Sequence, residues 1–298
     1  MIPISFKHEK SVIELYHLLL DIRPNQNNKI LYMEYIKEIN NWCMNNICIN
    51  DKKYSFPDII KADYEEIQEI AKVYNSKENK LEEKYKKFIK KYLYEQRFPR
   101  MRFVEELRVT VCPYCNRNFI NPTSERTTCE LDHFYDKKSY PILAVSFRNL
   151  VPVCHICNHI KSSNLIEYSP YNKKYSTDDL ISFDYFIKGS DYLTNNEQIG
   201  IEINGSNAFE SNIKNLKLRE LYQLHTDIVQ ECIKKAIIFN KEYMKDLFNT
   251  YDGLFESEEE LYRIVYGNFK KESLYGKRPL AKLTKDILDD LILYQEEI

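Results

Sequence analysis

The stretch CHICNHIK, residues 154–161, puts two cysteines, two histidines and an asparagine into about two helical turns. Two readings are open: a mixed zinc knot of two thiolates and two imidazoles, or half of a cysteine-only site whose helix carries something catalytic on its other side. A CxxC turn aims two thiolates at one ion, and the chain holds a second such pair, Cys112-Pro-Tyr-Cys115, with 38 residues between the two. Two CxxC turns complete a tetrahedral four-thiolate site with no open position, the geometry of a structural zinc. With Cys112, Cys115, Cys154 and Cys157 available, His155 and His159 are not needed for zinc, and a site of two thiolates and two imidazoles takes a different spacing. A redox pair or simple burial is the bland alternative for these cysteines.

The texture around this stretch sets the domain plan. Five of the ten prolines, five of the eight cysteines and three of the six histidines crowd into residues 110–170, so this window cannot be a long helix. Apolar residues three and four apart predict helices over 9–20, 30–47, 58–74 and 78–98 before it. After it come two strands, 180–187 and 199–203, the second followed by the turn signal Asn204-Gly205. A helical stripe over 212–250 follows, with Leu224, Cys232 and Tyr243 on one face. Ser257 with Glu260 offers a capping box for a helix through Phe269, and Thr284 is placed to cap the last helix. The expected fold is mostly α with a small α+β module: a helical region 1–105, the module 106–170, and strands then helices over 171–298. Trp42, Cys43 and Cys48 read as core packing, His8, His17, His225 and Cys232 as packing or surface residues, and Cys129 as an unpaired thiol facing the module interior.

Composition narrows the functional classes. All six glycines lie beyond residue 188, and a net charge of −2 excludes a globally basic binder. Local asymmetry says more: residues 77–108 hold eleven Lys or Arg against six Glu, and 263–285 hold seven against one acid. Such islands suit phosphates, although solvated helix faces explain each one equally well. The chain opens on no cationic-then-apolar signal, and no apolar run is long enough to span a bilayer. The expectation is therefore a reduced cytoplasmic protein with metal-binding rather than disulfide cysteines, and no membrane partner.

Between the cysteine pairs lie ELDHF (130–134), KKSYP (137–141) and NLVPVC (149–154), with nine residues from Asn149 to Asn158. In this order and spacing, over residues 110–170, the chain resembles the HNH endonuclease family. The phrases CPYCNRNF, DHFYDKKSYPILA and SPYN are similar to the HNH nuclease subunits of bacterial antiphage systems such as Septu, which work beside an ATPase. The resemblance implies a ββα-metal core, with strands near 128–134 and 150–153 and a helix starting near Cys154. It makes Asp132 and Asn158 the ligands of a catalytic divalent ion, His133 the general base and Asn149 the residue orienting the histidine-bearing loop. Lys161, on the face of Asn158, is expected to touch phosphate. His155 is open to two readings, a ligand or phosphate contact, or an incidental surface residue. Where the family shows a proline after DHF and its following aromatic, this chain has Asp136 and Lys137.

The residue types suit that chemistry. A carboxylate and an amide carbonyl are hard oxygen ligands for Mg²⁺ or Mn²⁺, leaving positions for water and phosphate. Neutral imidazole takes a proton from water near pH 7. Asp132 and His133, adjacent in a strand, point to opposite faces unless the strand ends there. The helix amino end offers unsatisfied N–H groups to phosphate. The family resemblance implies DNA as the substrate, cut to a 5′-phosphate and 3′-hydroxyl. No GxxxxGK[ST] loop occurs, so an energy source has to come from a partner ATPase docked on the flanking helices. The rival reading is a non-catalytic treble-clef zinc module that only binds DNA or protein.

Overall fold

The computed structural model describes residues 2–20, 26–78, 80–121, 123, 127–162 and 164–296. It is mostly helical with three two-stranded antiparallel sheets. The chain forms two compact units, each built from separated stretches: residues 4–108 with 122–153, and residues 1–3 with 109–121 and 154–298. Packing thus divides residues 106–170 between both units, and the units are not linear segments. No helix among the described residues is long and apolar enough to cross a membrane.

In the first unit, α1 (Glu9–Leu20) and α2 (Gln26–Asn46) lead into a minimal hairpin, β1 (Cys48–Ile49) and β2 (Lys52–Lys53). Cys43 is fully buried in α2, whereas Cys48 on β1 is exposed, so only the former is a core residue. The single helix expected over 58–74 is two: α3 (Phe56–Lys61) and α4 (Tyr64–Ser76). Each has its own reciprocal capping box, Ser55 with Asp58 and Asp63 with Glu66, so the chain stops and restarts at Ala62–Asp63. The region 78–98 also divides, into α5 (Glu83–Lys87) and a ten-residue π-helix, Phe88–Arg97. The π-helix buries Ile89, Leu93 and Tyr94, and α6 (Arg100–Leu107) follows it.

Phe98, Phe103 and Phe147 form an aromatic cluster with ring centroids 5.3–6.2 Å apart, and Phe6 joins it edge-on. This cluster underlies the second hairpin, β3 (Glu130–His133) and β4 (Leu150–Val153), whose register pairs Asp132 with Val151 and His133 with Leu150. β4 has its expected limits. β3 is shorter than expected, and Cys129 is buried one residue before it. The connection between the strands is fastened to α3: buried Ser146 donates to the Ile59 carbonyl at 2.8 Å, and Arg148 to that of Lys61 at 2.9 Å.

In the second unit, α7 (His155–Lys161) and α8 (Thr177–Leu180) precede the hairpin β5 (Ile181–Ile187) and β6 (Ile199–Gly205). The stripe expected over 212–250 is four helices: α9 (Glu210–Asn215), α10 (Leu218–Tyr222), α11 (Thr226–Ile238) and α12 (Lys241–Thr250). Lys217 in the left-handed region breaks the first join, and Asn240 caps α12 by accepting from the Tyr243 amide. Cys232 is buried as expected, but Leu224 and Tyr243 are exposed because these breaks rotate them off the common face. Ser257 caps α13 (Glu258–Tyr266) by accepting from the Glu260 amide, but left-handed Gly267 ends that helix before Phe269. The last helix, α14 (Ala281–Glu296), begins upstream of Thr284, which is buried inside it rather than capping it. α14 packs on β5 and α11.

Candidate functional site

The four cysteines of the two CxxC pairs meet. Cys112, Cys115, Cys154 and Cys157 are all buried, and their sulfurs lie within 4.8 Å of one another. Cys112 and Cys115 sit on a tight knuckle closed by a bridge between Val111 and Phe119 and by the Cys112 amide donating to the Asn118 carbonyl. The knuckle turns at Asn116, left-handed at φ 50°, a conformation that asparagine tolerates better than most residues. Its buried side-chain amide donates to the Tyr275 carbonyl and accepts from the Lys282 amide. Tyr222 fixes the turn from below, its hydroxyl donating to the Cys115 carbonyl at 2.6 Å. Cys154 is the N-cap residue of α7 and Cys157 lies in its first turn.

The cluster suits a tetrahedral ion. Cys115 and Cys154 sulfurs are 3.9 Å apart, close to the ~3.8 Å edge of a tetrahedron with metal–sulfur bonds of about 2.3 Å. Sulfur is stabilised by N–H donors: the Asn118 amide reaches Cys154 at 3.3 Å and the Arg117 backbone N–H reaches Cys115 at 3.4 Å. Burial pushes the Cys112 thiol up, while hydrogen bonding from its three neighbours holds Cys154 far below the usual thiol range. Four sulfurs this close need a cation to share their negative charge. Neither His155 nor His159 belongs to the cluster; both are exposed on α7, their rings stacked 6.0 Å apart. The cysteine-only reading of residues 154–161 therefore holds, and the chain has a site that could hold zinc.

The other predicted residues divide between the units. Asp132, His133 and Asn149 lie in the first, and Asn158, His155 and Lys161 lie on α7 in the second, where Lys161 is buried and Asn158 half-buried. His133 is the last residue of β3 and is still paired with Leu150. Its Nε2 lies 3.0 Å from the carbonyl oxygen of Ala144. A carbonyl only accepts, so Nε2 carries a proton in this contact.

Asn149 is fully buried and ties down both ends of the loop after His133. Its Oδ1 accepts from the Tyr135 amide at 2.8 Å, and its Nδ2 donates to the carbonyls of Tyr135 and Leu143, each at 3.0 Å. The Phe134 amide donates to the Asn149 carbonyl, extending the β3–β4 ladder by one bond. Ala144, the partner of His133, follows directly on the clamped Leu143.

One neighbour of His133 is absent from the sequence-level account. Tyr94, on the π-helix, meets the imidazole edge-on with ring centroids 4.5 Å apart, and its hydroxyl donates to the Leu131 carbonyl at 3.2 Å. Burial raises its phenol above the ordinary range. Helical periodicity marks Tyr94 only as a core aromatic, and no spacing links it to a histidine 39 positions later.

No protein-family model matches the chain, and no solved structure matches it. Among curated proteins it is similar to the Septu protein PtuB of Bacillus thuringiensis, 33% identical over 89 residues, which are 29% of this chain and 34% of that protein. The match spans about a third of that relative's length and carries no site residue across by itself.

Proposed function

We propose that the chain is a metal-dependent HNH endonuclease that hydrolyses phosphodiester bonds in DNA, and that it serves as the nuclease effector of an antiphage defence system alongside an ATPase partner. The observation that carries this reading is the 3.0 Å contact between His133 Nε2 and the Ala144 carbonyl. With Nε2 donating to Ala144, Nδ1 is the nitrogen we assign as base for an attacking water. Asn149 supports the same reading, because its clamp on Tyr135 and Leu143 holds the loop that supplies Ala144.

Asp132 and Asn158 are the residues assigned to a Mg²⁺ or Mn²⁺ ion, and their carboxylate and amide oxygens fit a hard cation. Such an ion supplies charge neutralisation at the scissile phosphate and leaving oxygen. The chain's own groups do the rest: His133 Nδ1 takes the water proton, Asn149 and Tyr94 orient the imidazole, and the four-cysteine zinc braces the segment that carries Asn158. The similarity to a Septu protein supports the defence role and, through it, a protein partner.

Purified wild type and His133→Ala, incubated with plasmid, single-stranded DNA and RNA across Mg²⁺, Mn²⁺ and Zn²⁺, test the reading. Wild type is expected to cut DNA with a divalent ion, and the variant to lose cleavage while keeping zinc content and fold. Full activity in His133→Ala rejects the base assignment; inactivity of wild type with every ion and its partner favours the non-catalytic zinc module.

A further inference from the structure

The basic island over residues 77–108 has a structural focus that the cleavage chemistry alone leaves unexplained. Arg100, at the start of α6, places its guanidinium 4.5 Å from the centroid of the Tyr94 ring and donates to the Tyr94 hydroxyl and carbonyl at 3.3 and 3.4 Å. Lys137, in the loop after His133, places its Nζ 4.6 Å from the same centroid. The His133 ring meets Tyr94 at 4.5 Å. One tyrosine thus organises two cations and the candidate base, so all three lie within one ring's contacts.

These cations are half-buried, and neither has a carboxylate at ion-pair distance among the described residues. Lys90, whose charge also reaches Lys137, has none either. Glu95 and Asp136 act on Lys137 only from beyond that distance, and burial with the nearby Arg100 and Lys90 charges depresses its ammonium. Gathering like charges at a partly desolvated spot is costly unless an anion completes it. Cation–π contact offsets only part of that cost. Arginine and lysine held on an aromatic face next to a general base form a seat of the kind that takes a phosphate group.

We infer that Arg100 and Lys137, held on the ring of Tyr94, bind a backbone phosphate of the DNA beside the bond addressed by His133. The inference rests on the nuclease reading for the identity of the polymer.

Binding separates this inference from that reading. A short fluorescein-labelled DNA duplex is titrated against the full chain carrying His133→Ala, alone and with Lys137→Gln, Arg100→Gln, Tyr94→Phe or Tyr94→Leu, at several salt concentrations. Removing Lys137 or Arg100 should weaken binding and lower the slope of log affinity against log salt by about 1 each. Lys137→Arg and Tyr94→Phe should keep both, because they preserve the charge and the ring; Tyr94→Leu should lose both. Unchanged affinity and slope in Lys137→Gln overturn the seat, and that variant is a loop substitution with no hydrogen bond to break, so it tests the idea even where Arg100→Gln misfolds. Wild type that binds with this salt dependence yet never cleaves keeps the seat and overturns the nuclease; wild type that cleaves while Lys137→Gln binds normally does the reverse.

Discussion

His133 Nε2 and the carbonyl oxygen of Ala144 are 3.0 Å apart, and because a carbonyl only accepts, this contact puts a proton on Nε2. The first expectation is therefore spectroscopic. Nitrogen-15 chemical shifts of the His133 ring at neutral pH should show a protonated Nε2 and an unprotonated Nδ1. The opposite tautomer would remove Nδ1 as a base. In a cleaving wild type, deleting the imidazole should lower the rate by about 10²- to 10⁴-fold.

Asn149 provides a second test, because its fully buried side chain makes three hydrogen bonds. Asn149→Asp keeps the acceptor for the Tyr135 amide but turns a carboxylate oxygen towards two carbonyls. It should destabilise the protein by about 3 kcal/mol in urea melts, as a buried group left without its partners does. Asn149→Ala should cost a similar amount and also release the loop holding Ala144. Either variant as stable and active as wild type would show that the clamp positions nothing.

The four-cysteine cluster should hold one zinc per chain by elemental analysis. Cobalt substitution should give the absorption of a tetrahedral thiolate site, which Cys157→Ser should weaken and shift. Asn118→Ala, which removes the donor to Cys154, should lower metal affinity by about 10- to 100-fold without displacing the ion at saturating metal. A chain that refolds free of metal with an unchanged melting temperature would contradict a structural role.

Lys282 is 3% exposed and lies 2.7 Å from both Asp178 and Asp286. Lys282→Met leaves the buried Asp286 carboxylate without its closest cation and should cost about 3–5 kcal/mol. Lys282→Met combined with Asp286→Asn should recover part of the loss. A double variant as unstable as the single one would place the cost elsewhere.

Glu66 gives a pH dependence of known sign. Partial burial pushes its carboxyl up, but hydrogen bonds from Lys52, Tyr54 and the Asp63 amide outweigh this and hold it below the ordinary value. A depressed folded-state carboxyl contributes stability above its unfolded pKa, about 4.3, and loses it as pH falls through the folded value. Because the Glu66 side chain is 30% exposed, the contribution is about 1 kcal/mol or less. The gap between wild type and Glu66→Gln in urea melts should close between about pH 6 and pH 3; a gap independent of pH would deny the charge a role.

The cluster was legible because CxxC turns are local signals, whereas both strands of the β3–β4 hairpin and the start of α7 were expected through the family resemblance. Helix breaks were less legible: the second capping box at Asp63 and Glu66 can be seen in the sequence, but the left-handed Lys217 and the π-turn at Phe88 carry no residue that demands them. Least legible was the company of His133. Tyr94, Arg100 and Ala144 reach it through tertiary packing, and periodicity reports only that an aromatic is buried, not what it is buried against.

Val153 ends β4 and Cys154 is the next residue, so the polypeptide passes from the strand paired with His133 into the metal cluster without a linker. An ion held by the proposed zinc site closes the 38 residues between the CxxC pairs, which carry Asp132, His133 and Asn149, into a loop. Bringing such ends together costs about 3 kcal/mol of chain entropy, which zinc coordination can cover many times over. On that proposal, starvation for the metal should lower the amount of folded chain.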